Sequence, residues 1–178
     1  MSGHSGGWPF SFQRSTGIGN HMHSEEHQKL ESVYRKLPGG PELLAWFGRV
    51  PSFHDAEIVS LALNRRSSSL LTIHGWTMDS SHSQDGHFVL FKKAVVTFEI
   101  QDIVYLNLEG FNRQNVIDAL IIEQRAPDPL ANSYYSTLDS NGDDYEIILE
   151  PCYGMDGLIR CKKISVSFVP GDPIDSKK

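Results

Sequence analysis

Val95-Val96-Thr97-Phe98-Glu99-Ile100, followed after Gln101-Asp102 by Ile103-Val104-Tyr105-Leu106-Asn107-Leu108, is the stretch whose alternation sets the fold class. Val96, Phe98 and Ile100 share one face of an extended chain, as do Val104, Leu106 and Leu108. Ile164, Val166 and Phe168 repeat the pattern near the C-terminus. A period of two marks the half-buried strands of antiparallel sheet. From Glu57 onward it predicts strands at 57–64, 69–77, 87–100, 103–109, 117–124, 133–139, 145–152 and 157–169. Short turns and the lack of helical crossovers imply a β meander of about seven to eight strands, curled or folded into two layers.

Upstream the period is helical. Ser24 ahead of Glu25 and Glu26 reads as a capped helix start, with acids in the first turn. Leu30, Val33, Tyr34 and Leu37 recur on one face, and Pro38-Gly39-Gly40 ends that helix. Pro41 can open a second, carrying Leu43, Leu44, Trp46 and Phe47. The class is therefore α+β, mostly antiparallel β, with N-terminal helices over one edge or opening. Residues 1–22 are rich in Gly, Ser and His and read as a flexible tail, non-native or upstream of an alternative start at Met22. A single β-rich domain is expected over 23–172, and a disordered C-terminus over 173–178.

Two dipeptides suggest hairpins. Asn141-Gly142 suits a tight turn that sets Leu138 opposite Tyr145 and Tyr135 opposite Ile148. Asp156-Gly157 would set Cys152 opposite Cys161, close enough to bridge, although two cysteines make no disulfide framework and a reduced pair in a reducing cytosol is the expected state.

With 178 residues, 39% hydrophobic and 21% charged, the chain has the composition of one soluble globular domain. A net charge of −6 argues against nucleic acid as the partner. No apolar run approaches the roughly 20 residues needed to cross a bilayer, so no membrane role and a cytoplasmic location are expected.

Chemistry, if any, centres on Trp46-Phe47-Gly48-Arg49-Val50-Pro51-Ser52-Phe53-His54-Asp55-Ala56-Glu57. In an extended chain Asp55 and Glu57 point to one face and His54 to the other. The set could form an acid/base pair or a His/carboxylate metal site. It could equally be a structural corner, with Asp55 capping a turn by hydrogen bonds and His54 packed beside Trp46 and Phe53. Asp139, Asn141, Asp143 and Glu150 occupy offsets 1, 3, 5 and 12 of a calcium loop, but Asp144 stands where that loop needs Gly, so a hairpin turn is the better reading. His74, His82, Asp85 and His87 flank a polar loop that reads as solvated. No nucleophile elbow, P-loop or dinucleotide fingerprint is present. No cofactor is implied.

Three segments together resemble a known family: Trp46 to Glu57, Leu108-Glu109-Gly110-Phe111-Asn112-Arg113-Gln114-Asn115-Val116, and Tyr153-Gly154-Met155-Asp156-Gly157-Leu158-Ile159-Arg160-Cys161. Their order resembles the Immunity protein 50 family of bacterial polymorphic toxin systems, over roughly residues 40–170. The resemblance implies a small cytosolic protein that binds and neutralises the toxin encoded beside it. It carries over no catalytic residue. Trp76, Tyr134, Tyr135, Tyr153 and the acidic residues Asp139, Asp143 and Asp144 are then candidates for contacting that toxin, since interface cores favour aromatic anchors within a polar rim. A metal-binding module or metal-dependent hydrolase on His54, Asp55 and Glu57 is the alternative. A small-molecule site in the mouth of the curled sheet is the third.

Overall fold

Among the described residues of a computed structural model (21–79, 89–125 and 144–174), six antiparallel strands close into a barrel. Two helices precede them, α1 (His21–Lys36) and α2 (Gly40–Phe47). The strands are β1 (Glu57–Ala62), β2 (Ser69–Asp79), β3 (Val89–Glu109), β4 (Val116–Arg125), β5 (Asp144–Tyr153) and β6 (Asp156–Pro170). Their order round the barrel is β1-β2-β3-β6-β5-β4. The chain thus makes two three-stranded meanders, joined where β3 pairs with β6 and where β1 meets β4. The α+β, mostly antiparallel class holds, and the expected curl goes to full closure.

The interior follows the alternation. Leu71, Ile73, Val96, Phe98, Ile147 and Ile159 are all fully buried and fill it with side chains. α1 lies on β4 and α2 on β6. The link between the helices is tight: the N–H of Val166 donates to the carbonyl of Pro38 at 2.9 Å. Gly39, at φ 80°, passes so close that a Cβ would stand 1.8 Å from the Val166 carbonyl oxygen. Pro41 opens α2 and Gly48 ends it in the left-handed region, its N–H returning to Leu44 O at 2.7 Å. No helix among the described residues is long and apolar enough to cross a membrane.

Several local expectations change. Strands 87–100 and 103–109 are one strand, because Asp102 takes φ 56° and the register slips between Ile103 and Tyr105. The chain bends there through a bulge instead of turning back. A second bulge at Lys92, φ 49°, lets two β3 residues face one residue of β2. Beyond Asp102 the inward pattern fades, and Leu106 is exposed while Leu108 is half-buried. α1 begins at His21, so Ser24 lies within it and not at its cap.

The cysteine pairing also fails. Cys161 lies opposite Tyr145, and the β5–β6 ladder ends at Leu149–Gly157, so Cys152 lies beyond it. Cys152 is exposed, Cys161 is buried, and both are free. Tyr135 and Leu138, like the expected strand 133–139, lie outside the described residues. Tyr145 and Ile148 already pair with Gln124 and Ile121 on one side and with Cys161 and Leu158 on the other.

Candidate functional site

The junction between α2 and β1 is where the barrel closes. The N–H of Asp55 donates to Ile117 O at 2.9 Å, that of Ile117 to Ala56 O at 2.9 Å, and that of Ile58 to Asn115 O at 2.8 Å. A tight turn precedes this seam, with the N–H of Ala56 donating to Phe53 O at 3.0 Å. Phe53 and Asp55 both take positive φ, 54° and 61°. For a bulky residue such as Phe this is a true outlier, and packing must hold it. Phe53 is buried and meets Phe47 and Phe98 edge-on, at ring-centroid distances of 6.3 and 6.0 Å. Gly75 on β2 makes room for its ring, since a Cβ there would stand 3.0 Å from Phe53 Cδ1.

This turn breaks the two-residue alternation, so His54 and Asp55 both project into solvent. Their side chains are 47% and 49% exposed. His54 is therefore not packed beside the aromatics, and the Asp55 carboxylate is not a buried acceptor. Trp46 and Phe53 are the structural members of the run. Trp46 donates from Nε1 to the Lys92 carbonyl at 3.2 Å and stacks, tilted, on Phe168.

Two residues that the sequence reading did not include complete the cluster. Asp118 projects from β4 and Cys152 from β5. His54 Nδ1 lies 2.9 Å from Asp118 Oδ1 and 3.3 Å from the Asp118 carbonyl. His54 Nε2 is 3.6 Å from Asp55 Oδ2, and Cys152 Sγ is 3.9 Å from Asp55 Oδ1. One potential ligand atom each from His54, Asp55 and Cys152 falls within a 4.8 Å span. The Asp118 carbonyl, then the carboxylates of Asp55 and Asp118, raise the His54 pKa against partial desolvation. The Cys152 thiol is also held above its ordinary value, first by loss of water around the sulfur and then by Asp118 and Asp55. A thiol so placed keeps its proton at neutral pH and is no activated nucleophile. Burial pushes the Cys161 thiol up to about 12, which makes it inert core.

Glu57 does not join this group. It lies opposite His74 in the β1–β2 ladder, and its charge acts on that imidazole. The His74 side chain is 12% exposed, with Nε2 3.3 Å from Asp172 Oδ1 but not aligned as a hydrogen bond. Trp76 packs edge-on against His74 and is half-buried. Asp144 opens β5 and is tied to Lys162 at 2.8 Å. Tyr134, Tyr135, Asp139 and Asp143 lie outside the described residues, as do His82, Asp85 and His87.

Two large aromatics are exposed, Tyr153 at 60% and Phe111 at 67%. Their loops interlock: a Cβ on Gly110 would lie 2.5 Å from the Gly154 carbonyl oxygen. The loop that carries Phe111 is braced: Asn115 accepts from the Asn112 N–H at 3.1 Å and donates to the Asn112 carbonyl at 2.8 Å. Tyr153 follows Cys152 at the end of β5.

A family model described as Immunity protein 50 matches residues 41–169, well over half of the chain. The chain belongs to the Immunity protein 50 family. In this Immunity protein 50 member the match runs from the start of α2 to the end of β6, and so takes in the turn, Asp118, Cys152 and both exposed aromatics. α1 falls outside it. Neither the curated proteins nor the solved structures give a match to the chain.

Proposed function

We propose that the protein is an immunity factor that binds a cognate bacterial toxin in the cytoplasm and neutralises it by occlusion, without catalysis. The observation that carries this reading is the family match across the whole barrel. The surface supports it. Phe111 and Tyr153 are large and exposed, the loop of Phe111 is braced by hydrogen bonds and Tyr153 ends β5. The exposed Asp55 and Asp118 carboxylates add negative charge to the surface. Large aromatic anchors with a polar rim are what a tight interface needs. The net charge of −6 suits a partner with a basic face.

The test is co-expression with the toxic domain encoded beside this gene. The expected result is cell survival and a complex that co-elutes on a sizing column. Phe111→Ala and Tyr153→Ala should each weaken the complex by about 30-fold or more, the cost of losing a hot-spot side chain of about 2 kcal/mol. The melting temperature should not change, because both side chains are exposed. Failure to rescue, with no complex, would reject the proposal.

A further inference from the structure

We propose that His54, Asp55 and Cys152 bind a divalent transition-metal ion of the zinc class, with Asp118 holding the imidazole in place. Their ligand atoms already lie within 4.8 Å of one another. Metal–ligand bonds of about 2.0–2.3 Å place the atoms of a tetrahedral site about 3.3–3.8 Å apart. The 3.6 Å from His54 Nε2 to Asp55 Oδ2 lies within that range. The 3.9 Å from Cys152 Sγ to the other oxygen, Asp55 Oδ1, lies just beyond it, and the full set is wider, within 4.8 Å. Closing it needs only small rotations of exposed side chains.

The orientation of His54 is the second argument. Nδ1 is engaged by Asp118, through its carboxylate at 2.9 Å and its carbonyl at 3.3 Å, which leaves Nε2 facing Asp55. A metal-bound imidazole gives its other N–H to a carboxylate or a carbonyl in the same way, which fixes the tautomer. A set of one thiol, one imidazole and one carboxylate selects zinc-like ions over calcium or magnesium, which take oxygen ligands. On binding, Cys152 releases its S–H proton to bulk water as the sulfur–metal bond forms. Three protein ligands leave the fourth position to a water molecule.

The site draws on the turn before β1, on β4 and on β5, so the ion would tie the barrel seam from outside. It does not depend on toxin binding. Histidines elsewhere in the chain, such as His4, offer nitrogen ligands of their own, but sulfur ligation separates the two sources.

Cobalt(II) titrated into the full chain, kept reduced without a thiol reagent, is the probe. One equivalent should produce a sulfur-to-cobalt charge-transfer band, and zinc should abolish it by displacement. Cys152→Ser should lose the band and Cys161→Ala should keep it. Asp118→Ala should weaken the sulfur-ligated binding by about 10–100-fold, the usual cost of removing a partner that orients a ligand. His54, Asp55, Asp118 and Cys152 are exposed, so metal-free melting curves provide the folding control. A wild-type titration without the band, a band that survives Cys152→Ser, or an affinity unmoved by both His54→Ala and Asp118→Ala would overturn the proposal.

Discussion

Asp55 adopts φ 61°, a left-handed conformation that costs an L-residue about 1–2 kcal/mol. Its amide N–H closes the seam on Ile117, while its carboxylate is half exposed. The contribution of Asp55 to stability therefore comes from the backbone more than from a buried hydrogen bond. Asp tolerates this region better than Ala, and Gly better still. Asp55→Ala should lose about 1 kcal/mol, whereas Asp55→Gly should match or slightly exceed the wild type. Denaturant midpoints decide it, and equal losses in both variants would return the role to the carboxylate. His74 gives a second residue-scale test. Burial lowers its pKa below 6.5, helped by Lys93 and opposed by Asp172 and Glu57. Below the unfolded value the unfolded chain takes up a proton that the folded chain resists, so the His74 contribution to stability should fall as pH drops from 7.5 to 5.5. Because His54, whose pKa is raised, contributes the opposite slope, the His74 slope is read in a His54→Gln background. His74→Gln should flatten that slope. Sequence alone singled out His54 and Asp55 but not their partners, Asp118 and Cys152, which lie 64 residues from His54 and 97 from Asp55. Only the β4–β5 register brings these together, and the positive φ at Phe53 that turns them outward leaves no trace in residue types.

At the scale of elements, alternation was a dependable guide to where strands lie and a poor one to how they connect. The expected spans of β1, β2, β4, β5 and β6 agree with the structure within a few residues. Bulges were the main source of error. Asp102 looked like a turn because it is a polar residue between two apolar runs, yet β3 continues through it paired to β6. Asp156-Gly157 reads as a hairpin turn, and β5 and β6 do pair antiparallel, but their ladder ends at Leu149–Gly157. Nearer the turn Asp156 pairs with β3, and Pro151 and Tyr153 with β4, so the tight register is lost. In a closed barrel each strand end is claimed by its outer neighbour, which a hairpin rule applied to two strands cannot anticipate. Gly75 shows the same dependence on tertiary context. It sits mid-strand, where Gly weakens a sheet, because the Phe53 ring lies on it at 3.0 Å from where a Cβ would be. Gly75→Val should cost about 1–3 kcal/mol by overpacking, although Val is the better strand former. Thermal denaturation would show it, and an unchanged or raised melting temperature would mean that the Phe53 turn yields freely.

For the whole molecule, the two closures of the barrel are unequal. β3 and β6 pair along a long ladder from Ala94–Pro170 to Glu109–Asp156, broken only by the bulge between Ile103 and Tyr105. β1 and β4 meet only around Glu57 and Val116, with backbone bonds from Asp55, Ile58 and Ile117. A short ladder beside a strained turn is the place where a barrel opens first, because little backbone bonding has to be broken there. The amides of Asp55, Ile58 and Ile117 should therefore exchange with solvent deuterium well before those of Val96, Phe98 and Val166. The proposed cation site lies across this seam, with Asp55 on the β1 side, Cys152 on β5, and Asp118 on β4 positioning His54. If zinc binds there, it should slow exchange at the seam amides and leave the β3–β6 ladder unchanged, since a ligand stabilises only the opening that releases it. Amide exchange followed by NMR, with and without one equivalent of zinc, separates the two ideas. Fast seam exchange that zinc does not alter would keep the weak seam and reject the staple, and uniform protection around the barrel would reject the weak seam itself.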